Sequence, residues 1–302
     1  MKTSTKTTLF AAVLVVAGII LCTISVTVLG FVPGRDNVSQ VSERTYDVDG
    51  SFRNISIGGD TDDITLAKSS DGKCKAVCME PKDTSHNVSV NGDTLEITYV
   101  DERGWQDKYF MNGMISASPS ITLYLTEDIY ESLKIVTDTG DITVPDGFTF
   151  TEAKIDTDTG EIDFAADLGS DLEILTHTGH TDIKDITAER ITIESSTGSQ
   201  DLEKISCTDI SITTSTGDVD MKDVVASGNM RIKTSTGDVE FDGCDAADIK
   251  VETSTGEVEG TLLTEKVFVA SSNSGDIKVP DTDKGGRCEI RTSTGDIEIS
   301  IK

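Results

Sequence analysis

The feature that most constrains this chain is a short motif that returns at a nearly fixed interval. Variants of T-S-T-G-D-V occur nine times between Thr137 and Ile299, and consecutive motif glycines are 19 or 20 residues apart. These glycines are at positions 140, 160, 179, 198, 217, 237, 256, 275 and 295. A period of this length is too short for a pair of helices and is typical of a β-solenoid, in which each turn of chain stacks on another.

Apolar residues alternate with polar residues on both sides of each glycine. Seven and five residues before Gly198, for example, stand Ile191 and Ile193. Alternation with period two places such residues on one face of a strand, and the glycine supplies a turn in which φ can be positive. The pattern predicts an all-β, single-stranded β-solenoid (β-helix) of about nine regular rungs in residues 133–302.

Two copies of the repeat carry a polar side chain where the others have an apolar one. Thr181 and Gln200 stand two residues after their glycines, at a position that faces the interior of the coil. We expect a local distortion of the solenoid at these two rungs.

Residues 51–132 are rich in alternating apolar residues but lack the glycine repeat, and they are predicted to form irregular first rungs and a cap. Asn91-Gly92 between two apolar runs signals a hairpin. The segment Asp101–Pro119 holds the only tryptophan of the chain. It is expected to be a lid over the end of the solenoid, with a ligand pocket as the alternative.

The N-terminus is predicted to attach the protein to a membrane. Residues 9–32 are uncharged, apolar and long enough to cross a bilayer as one helix. Lys2 and Lys6 favour a cytoplasmic N-terminus (1–8), which places the solenoid outside a single-pass signal anchor, beyond a polar stalk (33–50). A cleaved signal peptide is the alternative, although no clear A-x-A cleavage site is present.

Several of these features together resemble a known bacterial family. They are the N-terminal apolar segment, an I-x-I-x-G-x-x-D-D-I-T-L stretch from Ile55 to Leu66, a D-T-L-E-I-T-Y strand from Asp93 to Tyr99, an S-I-T-L-Y-L strand from Ser120 to Leu125, and the serial T-S-T-G-D-V/I rungs. The chain is similar in these respects to the β-strand-repeat family labelled "putative adhesin", a domain of unknown function. The resemblance implies a membrane-anchored protein of the cell envelope that is associated with envelope stress. It supplies no catalytic residues.

The charge of the chain excludes some partners. The net charge of −28 argues against nucleic acid as a ligand. Many carboxylates follow the motif glycine directly, and in a solenoid they would stack into a ridge about 4.8 Å apart. The members of this ridge are Asp141, Glu161, Asp218, Asp238, Glu257, Asp276 and Asp296. The ridge is interpreted as a solvated face, with divalent-cation binding as the alternative.

One corner of the repeat contains two histidines. His177 and His180 flank Gly179, and the preceding rung contributes Asp158 and Glu161. If all four side chains point outward, they form an N₂O₂ set for a transition metal, and they are the candidate metal ligands of the sequence. The cysteines outside the apolar segment are odd in number and scattered, which gives no zinc pattern and favours small buried apolar residues.

The repeats leave little room for an enzyme active site. No repeat departs from 19 or 20 residues, so no long loops can build the walls of a cleft, and no nucleophile motif or cofactor motif is present. The predicted function is therefore a non-enzymatic, adhesin-like surface module without a cofactor, whose partner is a surface protein or a glycan. A cation-binding envelope module and a polysaccharide-processing enzyme are the alternatives.

The C-terminal end predicts a mode of association. The last rung, Ile297–Ile301, is followed by no capping segment. An open strand edge at this rung would favour edge-mediated self-association, opposed by the repulsion between acidic copies.

Overall fold

The computed structural model describes residues 41–103 and 119–302, which form strands and turns without a helix. The all-β prediction is confirmed, and the strands build a solenoid of about eight turns. No helix in these residues is long and apolar enough to cross a membrane. The predicted N-terminus (1–8) and signal anchor (9–32) lie outside the described residues, as do residues 104–118 of the predicted lid.

The N-terminal strands are β1 (Val41–Asp47), β2 (Asn54–Gly58), β3 (Asp63–Lys68), β4 (Lys75–Pro81), β5 (Thr84–Asn91), β6 (Thr94–Asp101) and β7 (Ser120–Leu125). The middle strands are β8 (Ile129–Thr139), β9 (Ile142–Val144), β10 (Thr149–Thr159), β11 (Ile162–Phe164), β12 (Asp167–Leu168), β13 (Asp171–Thr178), β14 (Thr181–Lys184), β15 (Arg190–Thr197), β16 (Gln200–Cys207), β17 (Asp209–Thr216), β18 (Val219–Lys233) and β19 (Val239–Glu252). The C-terminal strands are β20 (Val258–Leu262), β21 (Val267–Ser274), β22 (Ile277–Lys278), β23 (Arg287–Thr294) and β24 (Ile297–Ile301).

The middle strands stack in parallel, with equivalent residues of the repeat directly above one another. Ile155 pairs with Ile174, Ile174 with Ile193, and Ile193 with Ile212. Each of these side chains is buried. Full burial of one aliphatic side chain contributes about 1.5–3 kcal/mol, so the column is the main source of stability.

The N-terminal end of the solenoid is closed by antiparallel strands. β2 and β3 stack in parallel on β8 and β9, and β6 and β7 stack in parallel on β2 and β3. β5 then pairs antiparallel with β6 through the predicted Asn91-Gly92 turn, while β4 pairs antiparallel with β7 and β1 with β4. Residues 41–47 of the predicted stalk therefore belong to the sheet.

The expected distortion at Thr181 and Gln200 is not found. Both residues are buried, and β14 and β16 keep the register of the neighbouring strands, with Thr181 opposite Ile162 and Gln200 opposite Val219. The amide of Gln200 donates from Nε2 to the carbonyl of Gly198 at 3.0 Å. One such bond, together with the packing of two regular neighbours, is enough to hold the polar side chain inside.

Gln200→Leu is expected to raise the free energy of unfolding by about 1–2 kcal/mol, because the buried Oε1 of Gln200 has no hydrogen-bond partner. The carbonyl of Gly198 would then accept from Thr214, whose buried hydroxyl is also without a partner. Thr234 makes the equivalent bond to Gly217 in the next rung. Urea denaturation of the wild type and the variant measures the change, and a less stable variant would contradict this account.

The last turns of the solenoid do not follow the order of the sequence. β23 lies between β19 and β21 and pairs in parallel with both, and β24 lies between β20 and β22. The outermost rung is therefore β21–β22, and the prediction of an open edge is wrong for Ile297 and Glu298, the residues of β24 with which β22 pairs. Gly285 and Gly286 let the returning chain pass close to Glu265 and Ala247, because a Cβ would lie 1.7 Å and 1.5 Å from their carbonyl oxygens.

The rung that comes later in the sequence is the more deeply buried of the two. β23 and β24 contribute Ile290, Ile297 and Ile299, all buried. The outer rung offers Ala270, which is only half-buried, and Ile277, which is exposed.

Candidate functional site

A cluster of ionisable side chains is buried near the N-terminal end of the solenoid. The side chains of Asp62, Glu80 and His86 are fully buried, and Cys78 beside them is buried as well. Charged groups are almost never fully buried unless they are paired or bind a metal, so these residues form the candidate functional site.

The strands place each member of the cluster. Cys78 and Glu80 lie two residues apart on β4, and side chains at this spacing point to the same face of a strand. His86 lies near the start of β5, after a turn in which Asp83 has a φ of 63°. Asp62 lies at the corner between β2 and β3. Because β3 pairs with β9, Gly140 of the adjacent rung lies directly against the backbone of Asp62.

Glu80 is held by several donors at once. Its Oε1 accepts hydrogen bonds from the Tyr46 hydroxyl at 2.7 Å, from the His86 backbone N–H at 2.8 Å and from His86 Nδ1 at 3.1 Å. Arg44 Nε lies 3.1 Å from Oε2. These contacts fix the imidazole ring with Nδ1 as the donor toward Glu80, and they leave Nε2 directed away from this carboxylate.

The other side of the imidazole faces Asp62. His86 Nε2 lies 3.4 Å from Asp62 Oδ1, an ion-pair contact that lacks the alignment of a hydrogen bond. The ring of Tyr99 packs edge-on against His86 at 5.8 Å. Burial lowers the pKa of His86, but the interactions with Asp62 and Cys78 outweigh it and raise the pKa to about 10. The cluster therefore contains an imidazolium beside Asp62 and Glu80.

The candidate ligands named from the sequence separate into two pairs. His177 Nδ1 lies 3.1 Å from Asp158 Oδ1, whereas His180 Nε2 lies 3.3 Å from Asp201 Oδ2, on the rung that follows. Glu161 donates its backbone N–H to Asp141. Over residues 41–103 and 119–302, three or more possible ligand atoms lie within 4.8 Å of one another only at Cys78, Glu80 and His86. Metal binding at the histidine corner stays a prediction.

Sequence reasoning did not identify the buried cluster, because it treated the cysteines of the chain only by their number and spacing. The signal present in the sequence is C-x-E followed six residues later by His86, within a segment whose alternation places Cys78 and Glu80 on the apolar face. A carboxylate on the apolar face of a strand needs a buried partner, because burying an unpaired charge is strongly unfavourable.

The carboxylate ridge connects neighbouring rungs. Asp141 Oδ1 accepts the backbone N–H of Glu161 at 2.8 Å, and Asp238 Oδ1 accepts that of Glu257 at 2.7 Å. Asp296 makes the same bond to the N–H of Asp276. These bonds satisfy backbone N–H groups of the turns that form no hydrogen bond within the β-sheet. The ridge therefore has a structural role that does not require a cation.

The outermost rung presents an open edge with apolar side chains. β21 pairs with β23 on one side, and among the described residues no strand pairs with its other side. Val267, Val269 and Ile277 of this rung are each about two-fifths exposed. An open hollow of about 460 Å³ lies beside the rung, between β20, β22 and β24.

Comparisons with known proteins agree on the fold. A family model described as Toastrack DUF4097 matches residues 52–227 and 203–302. No protein of curated function matches the chain. A solved "putative adhesin" from Parabacteroides merdae is 10% identical, with 86% of this chain and 96% of that chain covered and a TM-score of 0.51. One from Parabacteroides distasonis is 12% identical, with 86% and 97% covered and a TM-score of 0.50.

Proposed function

Because the chain belongs to the Toastrack DUF4097 family, we propose that it is a non-enzymatic, adhesin-like module that binds a surface protein or a glycan at the cell envelope. The names of its solved structural neighbours and the stacked parallel rungs support this function. The proposal includes a membrane anchor at residues 9–32, with the solenoid of about nine repeats outside the cell.

The open edge of β21 is the observation that carries the proposal. A strand edge presents a row of unpaired N–H and C=O groups that can pair with an extended segment of another polypeptide. The exposed side chains of Val267 and Val269 add apolar surface to this edge. An extended strand of a surface protein is therefore the partner that the geometry fits best, and a glycan or a second copy of the chain is an alternative outcome of the test.

The test uses bacterial cells that express the full chain with a C-terminal tag. We expect protease added to intact cells to remove the tag, and the cells to bind to other cells or to a glycan array more strongly than cells without the protein. Val269→Lys is expected to reduce this binding at least tenfold, because lysine on an edge strand opposes pairing.

Ile129→Lys is the matched control, since Ile129 is 75% exposed and lies on β8, away from the open edge. This variant adds the same charge and is expected to bind like the wild type. A tag protected in intact cells would contradict the proposed topology. Displayed protein that binds no cell, protein or glycan would contradict the adhesive function, and equal losses in both variants would exclude the β21 edge.

A further inference from the structure

We propose that the buried cluster is a binding site for a single transition-metal ion of the zinc class, held by Cys78, Glu80 and His86. Possible ligand atoms of Cys78, Glu80 and His86 all lie within 4.8 Å of one another, and all three residues are buried. Asp62 faces the same imidazole from the corner of the first rung. The site belongs to the cap of the solenoid, at the end opposite to β21.

The donor set selects the class of metal. A thiolate and an imidazole prefer zinc and its neighbours in the first transition series, whereas calcium and magnesium take oxygen ligands. Two ligand atoms at about 2.0–2.1 Å from a tetrahedral zinc ion lie about 3.3 Å apart. The 3.1 Å between His86 Nδ1 and Glu80 Oε1 is close to that separation.

The groups around the cluster are joined by ion-pair contacts rather than by aligned hydrogen bonds. His86 Nε2, Asp62 Oδ1 and Glu80 Oε2 are buried without a hydrogen-bond partner. Glu80 Oε2 lies 3.1 Å from Arg44 Nε, and His86 Nε2 lies 3.4 Å from Asp62 Oδ1. Buried ionisable groups that are not fully hydrogen-bonded are typical of a site that binds an ion.

Asp62 orients the imidazole for a metal. It lies 3.4 Å from His86 Nε2, as a second-shell carboxylate does in many zinc sites, and this contact leaves Nδ1 for coordination. Nδ1 lies 3.1 Å from Glu80 Oε1, which Tyr46 and the backbone N–H of His86 hold in place.

Cobalt binding to the purified full chain in detergent tests the proposal. After treatment with a chelator, Co²⁺ is added and the thiolate-to-cobalt absorption in the near ultraviolet is followed, with Zn²⁺ as the competitor. We expect one Co²⁺ per chain, a thiolate band that zinc abolishes, and a higher melting temperature with zinc. Cys78→Ser is expected to remove the band, and His86→Gln to weaken binding at least tenfold.

Two control variants separate this site from other donors. Cys74→Ser removes a half-buried thiol next to β4, and His177→Gln removes a histidine of the predicted corner site. Both are expected to bind Co²⁺ like the wild type. A folded wild type without a thiolate band would overturn the proposal even if Cys78→Ser fails to fold. A band that survives Cys78→Ser, or disappears in Cys74→Ser, would also overturn it. Cell binding is measured separately, so failure here leaves the adhesive function open to its own test.

Discussion

Gly198→Ala is expected to lower the free energy of unfolding by more than about 4 kcal/mol, an exceptional loss for a single methyl group. Gly198 has a φ of 140°, which side chains rarely adopt. An added Cβ would lie 1.8 Å from the carbonyl oxygen of Gly179 and 2.6 Å from its carbonyl carbon. Since both contacts are with backbone, the methyl group can be accommodated only by separating two rungs.

The separation would also break bonds that cross the corner. Gly179 donates its N–H to Thr197 at 3.0 Å, and Gly198 donates to Thr216 at 2.9 Å. Both bonds depend on the close stacking of the rungs at the glycine. The methyl group is therefore expected to disturb the corner on both sides of the substituted residue.

Gly92→Ala is the matched control for this prediction. Gly92 has a φ of 66°, but an added Cβ there would meet nothing within 4 Å. In this variant only the left-handed backbone conformation of the alanine is unfavourable, which lowers the free energy of unfolding by about 1–2 kcal/mol. Urea denaturation followed by circular dichroism compares the two variants, and similar losses would show that backbone conformation, rather than rung spacing, requires the glycine.

The sequence predicts the contents of a rung better than the position of that rung in the stack. Alternating aliphatics and a corner glycine fix which side chains face inward, as the buried column through Ile193 confirms. The insertion of β23 between β19 and β21 could not be predicted in this way. Every rung carries the same pattern and presents the same parallel edge, so the pattern alone gives no reason to pair with the preceding rung rather than with a later one.

The candidate site shows the same limit. The alternation of β4 already places Cys78 and Glu80 on one face, and this much is visible in the sequence. The approach of His86 and Asp62 depends on antiparallel pairing of the cap and on a corner contributed by a different rung. Such contacts join residues whose sequence separation follows no repeat, so periodicity carries no information about them.

Asp245→Asn is expected to lower the free energy of unfolding by about 3–5 kcal/mol, because it leaves a buried ammonium without its counter-ion. Lys266 is 3% exposed, and its Nζ lies 2.6 Å from Asp245 Oδ1 and 2.6 Å from the Thr264 hydroxyl. The same Oδ1 accepts from Thr264 at 3.1 Å. The neutral amide would keep the shape of the side chain but lose the charge that compensates the lysine.

Two controls isolate the buried charge. Glu173→Gln removes the partner of Lys154 from a half-exposed pair of the same 2.6 Å length, and it is expected to change stability by less than about 1 kcal/mol. The double variant Asp245→Asn with Lys266→Met is expected to recover part of the loss, since no unpaired charge remains inside. A double variant as unstable as Asp245→Asn alone would show that packing, rather than charge, holds this position.

The location of this ion pair predicts where the damage appears first. Lys266 directly precedes β21, and its carbonyl accepts from the hydroxyl of Thr282 in the segment that returns the chain to β23. The pair with Asp245 therefore fastens the outermost rung to the body of the solenoid. In Asp245→Asn, hydrogen exchange should accelerate in β21 and β22 before it changes in β15, because each rung is stabilised mainly by its neighbours. Uniform acceleration along all rungs would instead show that the solenoid opens as a single cooperative unit.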